Sequence, residues 1–290
     1  MARRVSVVGS VNMDITFDVA ALPRPGQTVL ASSVTYAAGG KGANQAVAAA
    51  RAGAQVQFVG AFGTDPAADR LRTHLLANGV GLDGAVELPG PSGTAIIIVD
   101  AGAENTIVVA PGVNGQLTLP PAVLIACDVL LTQLEIPPAT ALAAARQARA
   151  AGAAVMVNAS PAGQNADALA ELATVADVVI TNESEEPQWP WRSTHFVVTL
   201  GARGARYIGP DGEFDVPAPV VAALDTTGAG DVFAGALAAS WPGDSGSPDE
   251  RLLALRRACA AGALATLTSG AGDCAPDAHA IDAASVGRIR

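Results

Sequence analysis

Lysine is nearly absent from this 290-residue chain: Lys41 is the only one, and every other basic residue bar histidine is arginine. Cysteine is scarce as well. Cys127, Cys259 and Cys274 are an odd number with no paired spacing, which argues against a disulfide framework and for a reducing compartment. His74, His195 and His279 stand far apart, and neither HExxH nor CxxC occurs, so a zinc centre has no foothold. No apolar run approaches the roughly 20 residues that span a bilayer. The run at 5–8 is broken at once by Gly9, Asn12 and Asp14, too soon for the core of a secretion signal. A cytoplasmic protein without a membrane partner is expected. Positive charge is also short, with 17 Lys and Arg against 27 Asp and Glu and a net charge of −10, which repels nucleic-acid backbones. Any anionic ligand must be held by local groups.

What is present is apolar and alternating. Half the residues are hydrophobic and 15% charged, enough for a sizeable core. Short apolar runs at 5–11, 55–61, 127–134, 153–158 and 177–182 read as buried strands. Helical patterns at 42–52, Pro66–Ala77, 139–151, Ala166–Ala173 and 232–240 alternate with them. This order predicts an α/β fold, a parallel sheet between two helical layers, with ligands beyond the carboxyl ends of the strands. Asn12, Glu135, Asn158 and Asn182 fall at those ends. Two stretches break the rhythm. Residues around 14–36 carry a PRPG turn, and those around 94–110 an AGAE turn, between strand-like segments. Both read as antiparallel hairpins that together form a small sheet, a lid on one domain of residues 1–290.

Three glycine-rich stretches carry chemistry. In Gly39-Gly40-Lys41-Gly42-Ala43-Asn44-Gln45 the backbone can approach a ligand closely, and a helix begins at once. It is not a Walker A loop, which requires Gly at position 35 and Ser or Thr at 42. Taken alone, it is equally a helix-starting turn with an exposed lysine. Asp225-Thr226-Thr227-Gly228-Ala229-Gly230-Asp231 leaves amides uncovered at a helix N-terminus, where the dipole favours negative charge. A carboxylate at 231 repels phosphate there unless it takes a proton from an attacking hydroxyl; the plain alternative is an acid in a first helical turn. At the first strand's end, GSVNMD (9–14) places Asn12 and Asp14 on one side of an extended segment, suited to reading neighbouring hydroxyls. Asn182 and Glu185 follow another strand and suit hydrated Mg²⁺ or a helix cap.

Together GSVNMD (9–14), GGKGANQAVAAARAGA (39–54), QLE (133–135), TNESE (181–185), TLGARG (199–204) and DTTGAGD (225–231) resemble the ribokinase family of sugar kinases over nearly the whole chain. GGKGANQA with GSVNMD resembles its ribose-phosphorylating branch. The resemblance implies an ATP-dependent transfer to the sugar 5-hydroxyl. Asp231 would be the general base, and the amides of Gly228, Ala229 and Gly230 the anion hole. Asn12, Asp14, Gly40, Lys41, Asn44 and Glu135 would hold the sugar. Asn182, Glu185, Thr199, Gly201, Gly204, Gly230 and Cys259 would border the nucleotide, with Glu185 placing Mg²⁺ through water. Asp225, Thr227, Ala265, Thr268, Gly270 and Cys274 would form a monovalent-cation loop for K⁺. The lid would also make a homodimer. Nucleoside, deoxyribose and fructose kinases of the family, or a non-catalytic sugar or nucleotide sensor, remain alternatives at this level.

Two departures stand out. Only sixteen residues separate Asn182 from Thr199, where family members carry a longer segment with a full helix. Cys274 stands where ribokinases have Ser, beside an unusual Gly272-Asp273, a departure in the cation loop.

Overall fold

The computed structural model describes residues 2–286 apart from 103, 122, 125 and 244. In chain order, β1 (Arg4–Val8) leads to β2 (Asn12–Asp18), β3 (Ser33–Gly39), α1 (Lys41–Arg51), β4 (Gln55–Val59), β5 (Ala61–Phe62) and α2 (Pro66–Ala77). Next come β6 (Val80–Gly81), β7 (Val86–Glu87), β8 (Gly93–Val99), β9 (Asn105–Ala110) and β10 (Val129–Thr132). Then follow α3 (Pro138–Ala150), β11 (Ala154–Asn158), α4 (Ala166–Ala173), β12 (Val178–Asn182) and β13 (His195–Thr199). The chain ends with β14 (Ala205–Gly209), β15 (Gly212–Val216), α5 (Ala229–Ser240), α6 (Pro248–Ala265) and α7 (Ala278–Val286).

The main sheet has nine strands in the order β15-β14-β13-β12-β11-β10-β1-β4-β6. It is parallel from β6 to β13, and β14 and β15 add an antiparallel edge. Alternation along the strands feeds two cores. Val5, Val7, Val129 and Leu131 pack with α1, α2, α5 and α6, whereas Val8, Leu130, Val155 and Val157 pack with α3 and α4. A period of two thus covers both faces, as the near-continuous apolar runs require. Local chemistry sets the helix starts. Asp65 accepts the Ala68 amide ahead of Pro66, and Ser247 and Glu250 form a reciprocal capping box on α6.

From β1 the chain winds one way to β4 and β6, and the other way from β10 to β13. The order therefore reverses between β1 and β10, and a crevice opens beyond their carboxyl ends. The chain leaves the main sheet there at Gly9, and Asn12 begins β2 rather than ending β1.

The small separate sheet, expected to be a lid, has four strands in the order β3-β2-β8-β9. Its two hairpin pairs are antiparallel as expected, but β2 and β8 join them in parallel from Asn12↔Gly93 to Asp18↔Val99, so the sheet is mixed. Residue 103 of the AGAE turn lies outside the described residues. A further antiparallel pair, β14 and β15, turns at Pro210-Asp211. Among the described residues no helix is long and apolar enough to cross a membrane.

Candidate active site

At the crevice, β1 delivers Ser10, β10 delivers Gln133 and Glu135, and α1 starts against both. The Ser10 hydroxyl donates to Glu135 Oε2 at 2.5 Å, and the Lys41 amide donates to the same oxygen at 3.1 Å. Ser10 is fully buried, and its carbonyl accepts the Ala43 amide at 2.9 Å. Glu135 thus sits at the positive end of α1. Gly40 has φ of 90°, and a Cβ there would lie 2.8 Å from the Asn12 amide, so only glycine lets the loop cross the lid strand.

Asn12 and Asp14 share one side of β2. Asn114, in the turn after β9, donates to Asn12 Oδ1 at 2.8 Å and to the Val11 carbonyl at 3.0 Å, and accepts the Val11 amide at 3.1 Å. Asn12 is thereby oriented with its own amide hydrogens free to donate. Asp14 lies across Gly39, where a Cβ would come within 2.0 Å of its carboxyl. Burial pushes the Asp14 carboxyl up to about 7, and the charges of Glu135 and Asp231 push the same way. For Lys41, burial alone would lower the ammonium, but Asp231, Glu135 and Glu185 outweigh it and hold it above its ordinary value. Three carboxylates around one ammonium explain how an acidic chain keeps a cation here.

Asp231 lies in the first turn of α5 and is largely buried. Its Oδ2 accepts from Asn44 Nδ2 at 3.2 Å and its Oδ1 from Gln45 Nε2 at 2.9 Å. The turn before it has Gly228 in the left-handed region, φ 79°, with Ala271 so close that a Cβ would meet its Cα at 2.8 Å. No side chain caps α5. Gly228, Gly230 and Asp231 line an open cleft of about 450 Å³ with Lys41, Asn158, Ser160, Thr181, Asn182, Glu185 and Thr199. The Ala229 amide instead donates back to the Thr226 carbonyl at 3.3 Å. Of the three amides expected to cradle an anion, two belong to cleft-lining residues and one is turned into the loop.

Asn182 Oδ1 accepts the amides of Ser184 and Glu185 at 2.9 and 2.8 Å, and Glu185 Oε2 accepts the Asn182 amide at 3.3 Å. The pair is therefore a self-capped turn that aims both residues into the cleft. A single 3-10 turn, Glu186–Gln188, replaces the longer helix, and Trp189 anchors the shortened segment in the core under α3 and α4. Gly204 and Cys259, expected beside the nucleotide, are not among the residues that line this cleft. Gly204, φ 102°, turns against β15, where a Cβ would lie 2.0 Å from the Val216 carbonyl, so packing accounts for it. Cys259 Sγ faces the core, 3.5 Å from the Val216 carbonyl, and burial pushes its thiol up to about 12. Its side chain does not reach the cleft. Gly201 opens a 3-10 turn after β13, two residues beyond Thr199 of the cleft lining.

The two cation-loop stretches do meet. Asp225 accepts the Thr227 amide at 2.8 Å through one oxygen and the Gly270 amide at 2.9 Å through the other. Arg51 donates to the carbonyls of Asp273 and Ala275, both at 2.8 Å. Cys274 Sγ lies 3.4 Å from the Ala271 carbonyl and 3.9 Å from that of Thr227, and burial pushes its thiol up to about 11. The Asp225 carboxylate is a hard donor of the kind an alkali cation takes; a neutral thiol adds little.

Ser10, Gln45, Asn114 and Gln133 were not singled out by sequence. All but Asn114 lie inside or beside quoted motifs, and that placement was the available signal.

The chain matches the model of the pfkB family carbohydrate kinases over residues 2–278. It is 34% identical over 250 residues to ribokinase of Bacillus subtilis, covering 81% of this chain and 85% of that one. It is 31% identical to the bifunctional ribokinase/ribose-5-phosphate isomerase A of Fructilactobacillus sanfranciscensis, over 81% of this chain but only 48% of that protein's length. Among solved structures it is similar to Arabidopsis thaliana ribokinase complexed with ribose and ATP, with a TM-score of 0.85 and 27% identity over 98% of this chain and 99% of that one.

Proposed function

The chain belongs to the pfkB family of carbohydrate kinases, and from that premise we propose that it transfers the γ-phosphoryl group of ATP to the 5-hydroxyl of D-ribose. The observation that carries this reading is the meeting of Asp231, at the open N-terminus of α5, with the GGKGAN start of α1 in one cleft. The sugar lies between the lid strand and α1, its hydroxyls read by Asn12, Asp14, Gly40, Lys41, Asn44 and Glu135. Asp231 takes the proton of the attacking hydroxyl. The amides of Gly228 and Gly230, with the α5 dipole, receive the charge growing on the transferred group; the Ala229 amide joins them when the turn shifts off Thr226. Asn182, Glu185, Thr199 and Gly201 border the nucleotide phosphates. Positioning and charge stabilisation are what phosphoryl transfer needs most. Closure of the lid over the sugar excludes water, so that the phosphoryl group reaches the hydroxyl instead of a solvent molecule.

Magnesium, placed through water by Glu185 beside Asn182, would neutralise phosphate charge, and potassium, held by Asp225 and main-chain oxygens around Thr227, Ala265, Thr268 and Gly270, would add positive field behind the anion turn. An ATP-dependent reaction of this kind fits a cytoplasmic location. The direct test is a substrate panel of ribose, deoxyribose, fructose and adenosine with ATP, Mg²⁺ and K⁺, followed by mass spectrometry. Ribose is expected to give the highest kcat/KM; a higher value for another member of the panel overturns the sugar assignment.

Lys41→Arg is expected to weaken ribose binding about tenfold by calorimetry, because a planar fork replaces a compact ammonium among three carboxylates. Unchanged affinity would make the lysine incidental.

The lid also carries the dimer reading. Its two edge strands expose Val34 and Tyr36 on β3 and Ile107, Val108 and Val109 on β9, with Val108 61% accessible. Apolar edges of this kind suit pairing with a second copy. Val108→Arg is expected to convert a dimer into a monomer in sedimentation experiments; a wild-type chain that sediments as a monomer at tens of micromolar contradicts the dimer.

A further inference from the structure

Two glutamines within the quoted motifs stand outside the proposed sugar and nucleotide contacts, yet both are fully buried beside the site: Gln45 on α1 and Gln133 after β10. We infer that Gln45 is a positioning residue for Asp231 and that Gln133 supports it from behind. The inference rests on the reading of Asp231 as the proton acceptor.

The geometry is a chain of three amides. Gln45 Nε2 donates to Asp231 Oδ1 at 2.9 Å and to Asn158 Oδ1 at 3.0 Å. Gln45 Oε1 accepts from Gln133 Nε2 at 2.7 Å. Asn158 Nδ2 donates to the Ile180 carbonyl at 3.3 Å. Amide groups can be turned either way, but here the direction is set. A carboxylate only accepts, so Gln45 must present its NH₂ to Asp231, which leaves its oxygen to Gln133. The Gln133 amide must then turn its NH₂ inward, and Asn158 must turn its own toward the Ile180 carbonyl. Every amide of the chain is oriented consistently with the charge on Asp231. Both hydrogens of Gln45 are used, so it has no donor left for a ligand.

Packing holds the chain tight. A Cβ at Gly9 would lie 1.9 Å from Gln133 Oε1, and one at Gly235, a turn beyond Asp231, would lie 2.4 Å from the Gln45 carbonyl. Only glycine at these places lets β1 close on Gln133 and α5 close on α1. The result fixes the rotation of the Asp231 carboxylate: Gln45 grips Oδ1 from the core side, and Asn44, one of the sugar-holding residues, bonds Oδ2. A base held within hydrogen-bond reach of the attacking hydroxyl keeps its geometry without reorganisation, and a misplacement of about 1 Å costs on the order of a hundredfold in rate.

The test is a double-mutant cycle on turnover, with ribose affinity measured by calorimetry without nucleotide. Gln45→Met keeps length and removes both donors. It is expected to lower kcat about 10- to 50-fold while ribose affinity stays within about threefold. In the Asp231→Asn background the same change is expected to alter the residual turnover less than threefold, since there is no base left to position. Gln133→Met, one amide further back, should give a smaller fall in kcat in the same direction, and it carries the test if Gln45→Met fails to fold. Equal losses in both backgrounds, or kcat within twofold of wild type, overturn the positioning role. A wild-type enzyme that phosphorylates ribose and an Asp231→Asn variant that does so equally well would instead remove the base assignment, and the inference with it.

Discussion

Asp231→Asn is expected to lower turnover by about two orders of magnitude or more while ribose and nucleotide still bind. The substitution keeps the shape of the side chain, so Gly228 keeps its turn and α5 its start. What it removes is a group able to take a proton from the sugar hydroxyl. It also reverses part of the local polarity. Asn44 and Gln45 both donate to the carboxylate, and an amide at 231 can accept from only one of them. A modest loss of stability, about 1 kcal/mol for one mismatched buried bond, should accompany the loss of turnover. Steady-state rates beside calorimetric ribose affinity separate the two effects. Turnover within tenfold of wild type would mean the proton leaves by another route.

Asp14→Asn is expected to act on binding and on stability, in opposite directions. The ordinary carboxyl value is 3.8, and in the folded chain burial, then Glu135 and Asp231, raise it to about 7. Between those values the folded state holds a proton that the unfolded chain has released. The stability tied to this group is therefore complete below about pH 4 and declines as pH rises through about 7, by roughly 4 kcal/mol at most. The asparagine variant has no such decline and should melt at a higher temperature than wild type at pH 8, with the difference vanishing near pH 4. Sugar hydroxyls that donate to Asp14 require its ionised form. Ribose affinity should therefore fall about tenfold from pH 8 to pH 6, with proton release detectable as a buffer-dependent binding enthalpy. In the variant, affinity should drop by about two orders of magnitude, since bonds to a charged acceptor are worth about 1.5–3 kcal/mol each. A wild-type melting curve that parallels the variant's from pH 4 to 8 would contradict the buried, proton-holding Asp14.

Much of this architecture can be read from the chain because it is locally encoded. The bounds of α2 and α4 follow from Pro66 with Asp65, and from Asn165 with its apolar periodicity, and the structure places them at Pro66–Ala77 and Ala166–Ala173. Apolar runs that end in a polar residue mark the strand ends where Asn158, Asn182 and Thr199 line one cleft. The parallel β2–β8 pairing is a different matter. Its partners lie about eighty residues apart, and no local signal sets which edges of two hairpins meet. Side-chain direction is equally hidden. Cys259 lies on α6, but whether its thiol meets the cleft or Val216 depends on how α6 packs against β15. Ser10, Gln45 and Gln133 look in sequence like any polar residues within the quoted motifs. Their work is to hold Glu135 and Asp231, which only the tertiary arrangement brings to them.

A sugar kinase of this family is defined by where the phosphate goes. Incubating the chain with ribose, ATP, Mg²⁺ and K⁺ and following the products by ³¹P nuclear magnetic resonance measures that directly. The structure-based reading predicts a phosphomonoester coupled to the C5 protons of ribose, formed in equal amount with ADP and with little free phosphate. ADP accompanied by inorganic phosphate alone, or a phosphate borne on another ribose carbon, would contradict it.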